Sequence, residues 1–87
     1  MEIEVDTRWP LYTVDWNHLT RNIAVAGGDK KIRIYSFDFD SESLVQIGSF
    51  SLNDEINGLK WNPSPYYSNL IGAACDNGFV YILRFSP

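Results

Sequence analysis

Side chains that could perform covalent chemistry are few in this sequence. It holds a single histidine, His18, and a single cysteine, Cys75. One imidazole excludes a metal site built from several histidines, and a nucleophile needs a base within hydrogen-bond reach. His18 falls in a predicted loop, whereas Cys75 lies in an apolar segment where a thiol packs more often than it reacts. The sequence therefore predicts no catalytic residue, no metal site and no cofactor.

Three acidic residues, Asp38, Asp40 and Glu42, alternate as they do at the start of a calcium-binding loop. The sixth position of such a loop requires glycine and the twelfth requires glutamate, but here they are Ser43 and Ser49. We therefore expect these carboxylates to keep a long connection solvated rather than to bind a cation.

Aromatic residues in predicted loops are the candidate protein-binding residues. They are Trp9, Phe39, Tyr66 and Tyr67. An exposed aromatic side chain offers a large apolar area with few rotamers to freeze, which is typical of interface anchors. The alternative is that these side chains pack locally beside neighbouring prolines to cover an edge of the core.

Composition and charge exclude several classes of protein. Seven basic and 11 acidic residues give a net charge of −4, which disfavours nucleic acid and anionic lipid as partners. An apolar content of 45% excludes a disordered chain. No apolar run approaches the ~20 residues of a membrane span, and the start of the sequence does not resemble a secretion signal. We expect an intracellular protein without nucleic-acid or membrane partners.

An internal repeat governs the predicted architecture. Residues 14–17 and 23–35 are echoed by residues 59–62 and 71–83. Trp16 and Trp61 are equivalent strand ends, 45 residues apart. A period of roughly 40 to 50 residues with short strands is typical of a β-propeller, with one blade per repeat. Both tryptophans are predicted to pack between blades.

Alternating apolar residues and turn residues divide each repeat into strands. The first blade, residues 10–52, is predicted to hold four strands, and the second, residues 55–87, to lack its outer strand. The predicted strands are 11–16, 22–27, 31–36 and 44–52, then 56–61, 70–75 and 79–85. The fold class is therefore all-β: two four-stranded antiparallel blades that form part of a propeller.

Charged residues mark the first hairpin of this plan. Asp29 is expected to accept backbone N–H groups and hold the turn between the second and third strands. Lys30, Lys31 and Arg33 form the densest basic cluster, and we expect them to be exposed on the hairpin and its outgoing strand.

Two blades cannot enclose a central channel, because closed rings need about four to eight. Residues 1–5 form a short alternating segment, predicted to be a strand of a preceding or closing blade. Such a strand would fill the vacancy beside residues 79–85 and remove an open edge. Either the remaining blades belong to a longer chain, or a partner or about three or four copies of this chain complete the ring.

The sequence resembles the last two blades of a WD-repeat family, the cytosolic iron–sulfur assembly proteins. The most specific part is Val14-Asp15-Trp16-Asn17-His18-Leu19-Thr20, and residues 8–20, 23–35, 56–63 and 70–83 fit the same family. The resemblance implies a seven-bladed scaffold without enzymatic activity. It further implies that this scaffold joins a small adaptor and a large helical-repeat protein to deliver iron–sulfur clusters to apo-proteins in the cytosol and nucleus.

The chain departs from the usual WD pattern, and other functions remain open. The Trp-Asp ending of a blade is replaced by Tyr35-Ser36 and by Leu83-Arg84, and no Gly-His pair precedes either copy. The polar tetrad of an ordinary WD blade must therefore be incomplete. The alternatives are a generic WD-repeat scaffold of a coat or pore complex and, with no convincing nucleophile and base, a propeller-class hydrolase.

Overall fold

A computed structural model describes residues 2–86 and contains two antiparallel sheets. The first sheet has the order β1-β2-β3-β4 and the second the order β5-β6-β7, so neighbouring strands follow one another along the chain. The strands are β1 Leu11–Trp16, β2 Asn22–Gly27, β3 Lys31–Asp38, β4 Ser43–Ser51, β5 Ile56–Trp61, β6 Leu70–Cys75 and β7 Val80–Arg84. The all-β prediction is confirmed. Among the described residues, no helix is long and apolar enough to cross a membrane.

The observed strand ends differ slightly from the predicted ones. β3 continues two residues beyond the predicted end at Ser36, because Phe37 and Asp38 pair with Leu44 and Ser43 of β4. Local polarity suggested that the strand breaks there, but a partner strand supplies hydrogen bonds that composition cannot anticipate.

The N-terminal segment differs more clearly from the prediction. Residues 2–5 do not form a strand, and Met1 lies outside the described residues. Ile3 instead lines an apolar groove on the first sheet together with Trp16 and Ile23. In the described part of the chain no strand pairs with the outer edge of β7. An alternating segment becomes a strand only when an edge accepts its hydrogen bonds, and no described edge pairs with residues 2–5.

The hydrophobic core lies between the two sheets. Ala24 and Ala26 of β2 are fully buried, and their small side chains let the second sheet approach closely. Other buried side chains complete the core: Ile32 and Ile34 from the first sheet, and Ile56, Trp61, Ile71, Ala73, Cys75 and Phe85 from the second. The packing role predicted for Cys75 is therefore confirmed. Burial raises the pKa of the Cys75 thiol, and nearby Asp54 and Asp76 raise it further.

Asp29 holds the β2–β3 hairpin as predicted and also forms an ion pair. Its Oδ1 atom accepts a hydrogen bond from the Lys31 N–H at 3.3 Å, and its Oδ2 atom lies 2.6 Å from Nη2 of Arg33. Only 6% of the Asp29 side chain and 15% of the Arg33 side chain are exposed. The expectation of an exposed Arg33 was therefore wrong, because the carboxylate four residues earlier draws the guanidinium down onto the sheet.

Gly48 makes room for a second connection between the sheets. Phe85 follows β7 and donates its N–H to the Asn69 carbonyl at 2.9 Å. Its ring reaches across to β4, where it meets Phe50 edge to face with ring centroids 6.4 Å apart. A Cβ atom on Gly48 would collide with this ring. The absence of a side chain at residue 48 thus lets the last described residues of the second sheet pack on the first.

Replacing Gly48 with alanine should therefore lower the free energy of unfolding by about 1–2 kcal/mol, because Phe85 must move out of its site. Gly72→Ala is the matched control. Its Cβ would lie 3.8 Å from Ile82 Cδ1, an ordinary contact, so we expect a change within about 0.5 kcal/mol. Urea denaturation of both variants measures the difference, and equal stabilities would contradict the packing described for Phe85.

The ion pair of Asp29 predicts a pH-dependent stability. Burial alone would raise the pKa of Asp29, but the hydrogen bond and charge of Arg33 and the Lys31 N–H hold it below the ordinary 3.8. A depressed folded-state pKa contributes stability above the unfolded-state pKa, and this contribution is lost as the pH falls through the folded-state pKa. Asp29→Asn should thus cost about 2–3 kcal/mol above about pH 5.

The difference between wild type and Asp29→Asn should shrink steadily as the pH falls below 3.8. Urea titrations at several pH values from neutral pH down to about pH 2.5 measure this difference in stability. This range brackets the ordinary aspartate pKa of about 3.9. Asp40→Asn, at an exposed loop position, is the control. A pH-independent difference would show that the charge of Asp29 does not contribute.

Candidate protein-interaction site

The connections between strands lie at two opposite ends of the sheets, as the strand directions show. β1 and β5 lie side by side and run the same way, since Thr13 and Asp15 of β1 accept the N–H groups of Leu59 and Trp61. The connections 17–21, 39–42 and 62–69 therefore share one end, here called the loop end. The segment before β1 and the connections 28–30, 52–55 and 76–79 share the other, here called the turn end.

The four predicted protein-binding residues divide between these ends. Phe39, Tyr66 and Tyr67 lie at the loop end, whereas Trp9 lies at the turn end, just before β1. All four side chains are between 53% and 88% exposed, and Tyr66 is the most exposed. The structure thus brings three of the four to one end of the molecule and leaves Trp9 apart. Their role in binding stays a prediction.

Phe39 is held in place by its neighbours although it is exposed. The Phe37 ring meets it edge to face with centroids 4.4 Å apart, and the Arg21 guanidinium lies 5.3 Å from its centroid. Asp38 Oδ1 accepts the Asp40 N–H at 2.9 Å, which closes a tight turn at the start of the loop. The Ser41 hydroxyl and the backbone N–H groups of Asp40 and Ser41 hold the pKa of Asp38 below its usual value. This loop therefore presents a fixed aromatic side chain beside a cation.

The tyrosine pair sits on a loop built from consecutive turns. Asn62 Oδ1 accepts the Ser64 N–H at 2.8 Å, and the Ser64 carbonyl accepts the Tyr67 N–H at 3.1 Å. The Tyr67 carbonyl then accepts the N–H of Leu70, where β6 begins. These local hydrogen bonds fix the backbone, and both tyrosines remain more than half exposed.

Asn17 joins two loops of the loop end, a role that sequence reasoning missed. It is 2% exposed, and its Oδ1 atom accepts the N–H groups of Leu19 and Thr20. Its Nδ2 atom donates to the Ser68 carbonyl at 2.6 Å, across the boundary between the sheets. The recurrence of an asparagine after each repeat tryptophan, as Asn17 and Asn62, was the available signal.

Trp9 occupies a sharply bent segment at the turn end. Arg8 has a φ of 66°, and its N–H donates to Asp6 Oδ1 at 2.8 Å. Next to Trp9, the Pro10 carbonyl accepts the Gly28 N–H at 2.9 Å and so ties the segment to the β2–β3 turn. The backbone on both sides of Trp9 is therefore held by hydrogen bonds.

The two repeat tryptophans have different surroundings. Trp61 is 5% exposed, and its N–H and indole Nε1 atoms donate to Oδ2 and the carbonyl of Asp15, at 2.6 and 3.2 Å. The prediction that it packs between sheets is confirmed. Trp16 is 56% exposed and donates to the Arg21 carbonyl of its own loop instead. For Trp16 packing between blades stays a prediction, because none of the described residues forms a sheet against that face.

The fold does not bring together His18 and Cys75, the two residues considered for a catalytic role. His18 lies in the connection 17–21 at the loop end, whereas Cys75 ends β6 at the turn end and is buried. Across residues 2–86, no group of three histidine, cysteine or acidic side chains could hold a metal ion. The most organised exposed features are the aromatic side chains of the loop end, which suit contact with another protein.

A repeated sequence that forms two stacked antiparallel sheets is consistent with partial blades of a WD-repeat propeller. The chain is 41% identical over 78 residues to a probable cytosolic iron-sulfur protein assembly protein, the CIAO1 homolog of Caenorhabditis elegans, covering 86% of this chain and 23% of the relative. The chain is 32% identical over 81 residues to the probable cytosolic iron-sulfur protein assembly protein of Xenopus tropicalis, which covers 86% of this chain and 24% of the relative. It is 31% identical over 85 residues to that of Bos taurus, which covers 88% of this chain and 24% of the relative.

These relatives show the family of the chain and cover most of its residues. The chain spans about a quarter of the length of the curated relatives it matches. No protein-family model matches it. The resemblance predicted above is confirmed: this chain belongs to the cytosolic iron–sulfur assembly family of WD-repeat proteins and matches part of the length of its members.

Proposed function

We propose that this chain supplies two consecutive blades, residues 10–52 and 55–87, of a seven-bladed scaffold that acts in cytosolic iron–sulfur protein assembly. The observation that carries the proposal is the 41% identity, over most of this chain, to a relative named for that process. In this proposal the two blades are the last of the ring, and the remaining blades or further copies complete it.

The scaffold works by presenting fixed loops to other proteins. The core between the sheets and the Asn17 contact with Ser68 support a rigid loop end. Phe39, Tyr66 and Tyr67 provide apolar anchors there, and Trp9 provides a separate one at the turn end. The proposed partners are a small adaptor and a large helical-repeat subunit, through which the complex delivers iron–sulfur clusters to apo-proteins.

No covalent step is assigned to this chain. The lone histidine and the lone cysteine lie at opposite ends of the sheets, and the raised pKa of the Cys75 thiol disfavours its reactive thiolate. This arrangement supports a non-enzymatic role. The names of the relatives support the cytosol as the site of action, while action in the nucleus stays a prediction from the resemblance alone.

Affinity purification of the tagged protein from the cells that make it tests the proposal. We expect enrichment of iron–sulfur assembly proteins, and we expect Tyr66→Ala/Tyr67→Ala to weaken the capture about tenfold or more, since anchor aromatics carry most of the energy of an interface. Phe39→Ala should act in the same direction. Because Tyr66 and Tyr67 are exposed, their replacement should leave stability within about 0.5 kcal/mol of wild type.

Phe79→Ala removes an exposed aromatic side chain at the turn end and is the matched control. Trp9→Ala separately tests the candidate at that end. Enrichment of coat or pore subunits instead would favour a generic WD-repeat scaffold. Hydrolysis of ester or phosphate substrates that His18→Ala abolishes would favour the hydrolase and overturn the proposal.

A further inference from the structure

The outer edge of β4 is an open strand edge without the usual protection. Among residues 2–86, β3 pairs with one side of β4 and no strand pairs with the other. β4 is 9 residues long, Ser43–Ser51, and none of these residues is charged or a proline. Propeller blades normally leave only short, protected outer edges, and charged side chains and prolines are common means of protection. The edge of β4 can therefore accept a further strand.

The pairing with β3 determines which backbone groups of β4 point outward. Leu52 donates its N–H to the carbonyl of Lys30, the residue opposite it, at 2.9 Å. Hydrogen-bonded and non-hydrogen-bonded pairs alternate along an antiparallel ladder. Ser49 and Ser51 therefore turn their N–H and C=O groups away from β3, and both residues are exposed.

A β-bulge places a matching pair of outward residues in the other half of the strand. The register between β3 and β4 shifts between Ile34 and Tyr35, which gives β4 one extra residue, Ile47. The extra residue reverses the alternation, so that beyond it the groups of Gln46 and Leu44 point outward. A second β4 that runs antiparallel presents the same two pairs in reverse order and can satisfy them.

The two ends of β4 carry opposite charges. Three exposed acidic residues precede its first residue: Asp38, Asp40 and Glu42. Arg21 lies at the same end of the sheet and offsets one of these charges. At the other end, the exposed Lys31 is opposite Ser51, and the exposed Lys30 is the next residue on that side. β4 is thus acidic where it begins and basic where it ends.

The other charges near the end of β4 leave this sign unchanged. Asp29 is paired with Arg33 at 2.6 Å, so the two charges cancel. Asp54 and Glu55 follow β4 but turn to the second sheet, where Asp54 is near Cys75 and the Glu55 carbonyl accepts an N–H from the β6–β7 turn at 3.0 Å.

We propose that β4 is a docking edge for a second copy of this chain, which adds its own β4 in the antiparallel direction. The two four-stranded sheets then form one sheet of eight strands. The acidic end of each β4 meets the basic end of the other, so both ends of the contact attract. A two-fold axis relates the copies and closes the contact. In the register that matches the outward groups, Gln46 of each copy lies opposite Ser49 of the other.

A second copy fits this edge because its own charge pattern is the complement that the edge requires. An antiparallel strand must carry an acidic group at its beginning and a basic group at its end, and β4 with its flanking residues has this order. The pairing lies in the plane of the sheet and uses backbone groups, whereas the two sheets of one chain pack through their faces. The inference therefore stands apart from the proposed function and leaves those faces free.

Sedimentation velocity of the full chain over a concentration series tests the role of the edge. Ser49→Pro removes an outward N–H from both copies, and an edge strand tolerates proline where the N–H faces solvent. Ser49→Ala keeps this N–H and is the matched control. We expect Ser49→Ala to self-associate like the wild type and Ser49→Pro about tenfold or more weakly. Urea denaturation verifies that each chain is folded.

Exchange of the charged ends tests the choice of partner without altering β4 itself. Lys30→Glu/Lys31→Glu is acidic at both ends of the strand, and Asp40→Lys/Glu42→Lys is basic at both ends. Each variant alone should self-associate about tenfold or more weakly than the wild type, because like charges meet. An equimolar mixture of the two should recover the association of the wild type, since opposite charges then meet at both ends.

Three results would overturn the inference. A wild type that stays monomeric across the series would leave the edge to an extended segment of another protein. Equal association of Ser49→Pro and Ser49→Ala would place the contact on another surface. A mixture of the two charge variants that associates no more tightly than its components would show that the charged ends do not direct an antiparallel pair.

Discussion

The contact of Asp15 with Trp61 is the constraint on which the rest of this structure depends. Each sheet has an apolar face that must be buried against another layer of structure. Asp15 accepts both the backbone N–H and the indole N–H of Trp61, so the two sheets meet in one register and bury a shared core. Because the Asp15 carboxylate accepts the backbone N–H and the Asp15 carbonyl accepts the indole N–H, the apolar contact can exclude water without leaving these donors unpaired.

This register also determines the arrangement of the surface. Since β1 and β5 run side by side in the same direction, the long connections of both sheets reach the same end. Asn17 then bridges two of these connections through Ser68. The exposed aromatic residues of the loop end bind best from a backbone that does not move on binding, because ordering a mobile loop would consume part of the interaction energy. The packing between the sheets and the loop geometry are therefore parts of one arrangement.

Most of the fold was predictable from local patterns, and the failures have a common cause. Alternation and turn residues predicted every strand of both sheets, and the carboxylate of Asp29 marked its hairpin. The errors concern residues whose environment is set by distant neighbours. Arg33 is drawn down by Asp29, and Ile3 lines a groove on the first sheet while residues 2–5 form no strand. For the candidate site, composition identified the exposed aromatic residues but could not tell that Trp9 lies at the other end.

The sequence alone determined that this chain forms short antiparallel strands in two equivalent units, because alternation, hairpin turns and a repeat act over a few residues at a time. It also carried the resemblance to the cytosolic iron–sulfur assembly family, which rests on residue identities. Only the tertiary structure decided which of two equivalent tryptophans is buried and which aromatic residues share an end. It also decided that Thr13 and Asp15 join the sheets, because these outcomes depend on contacts between residues about 46 positions apart.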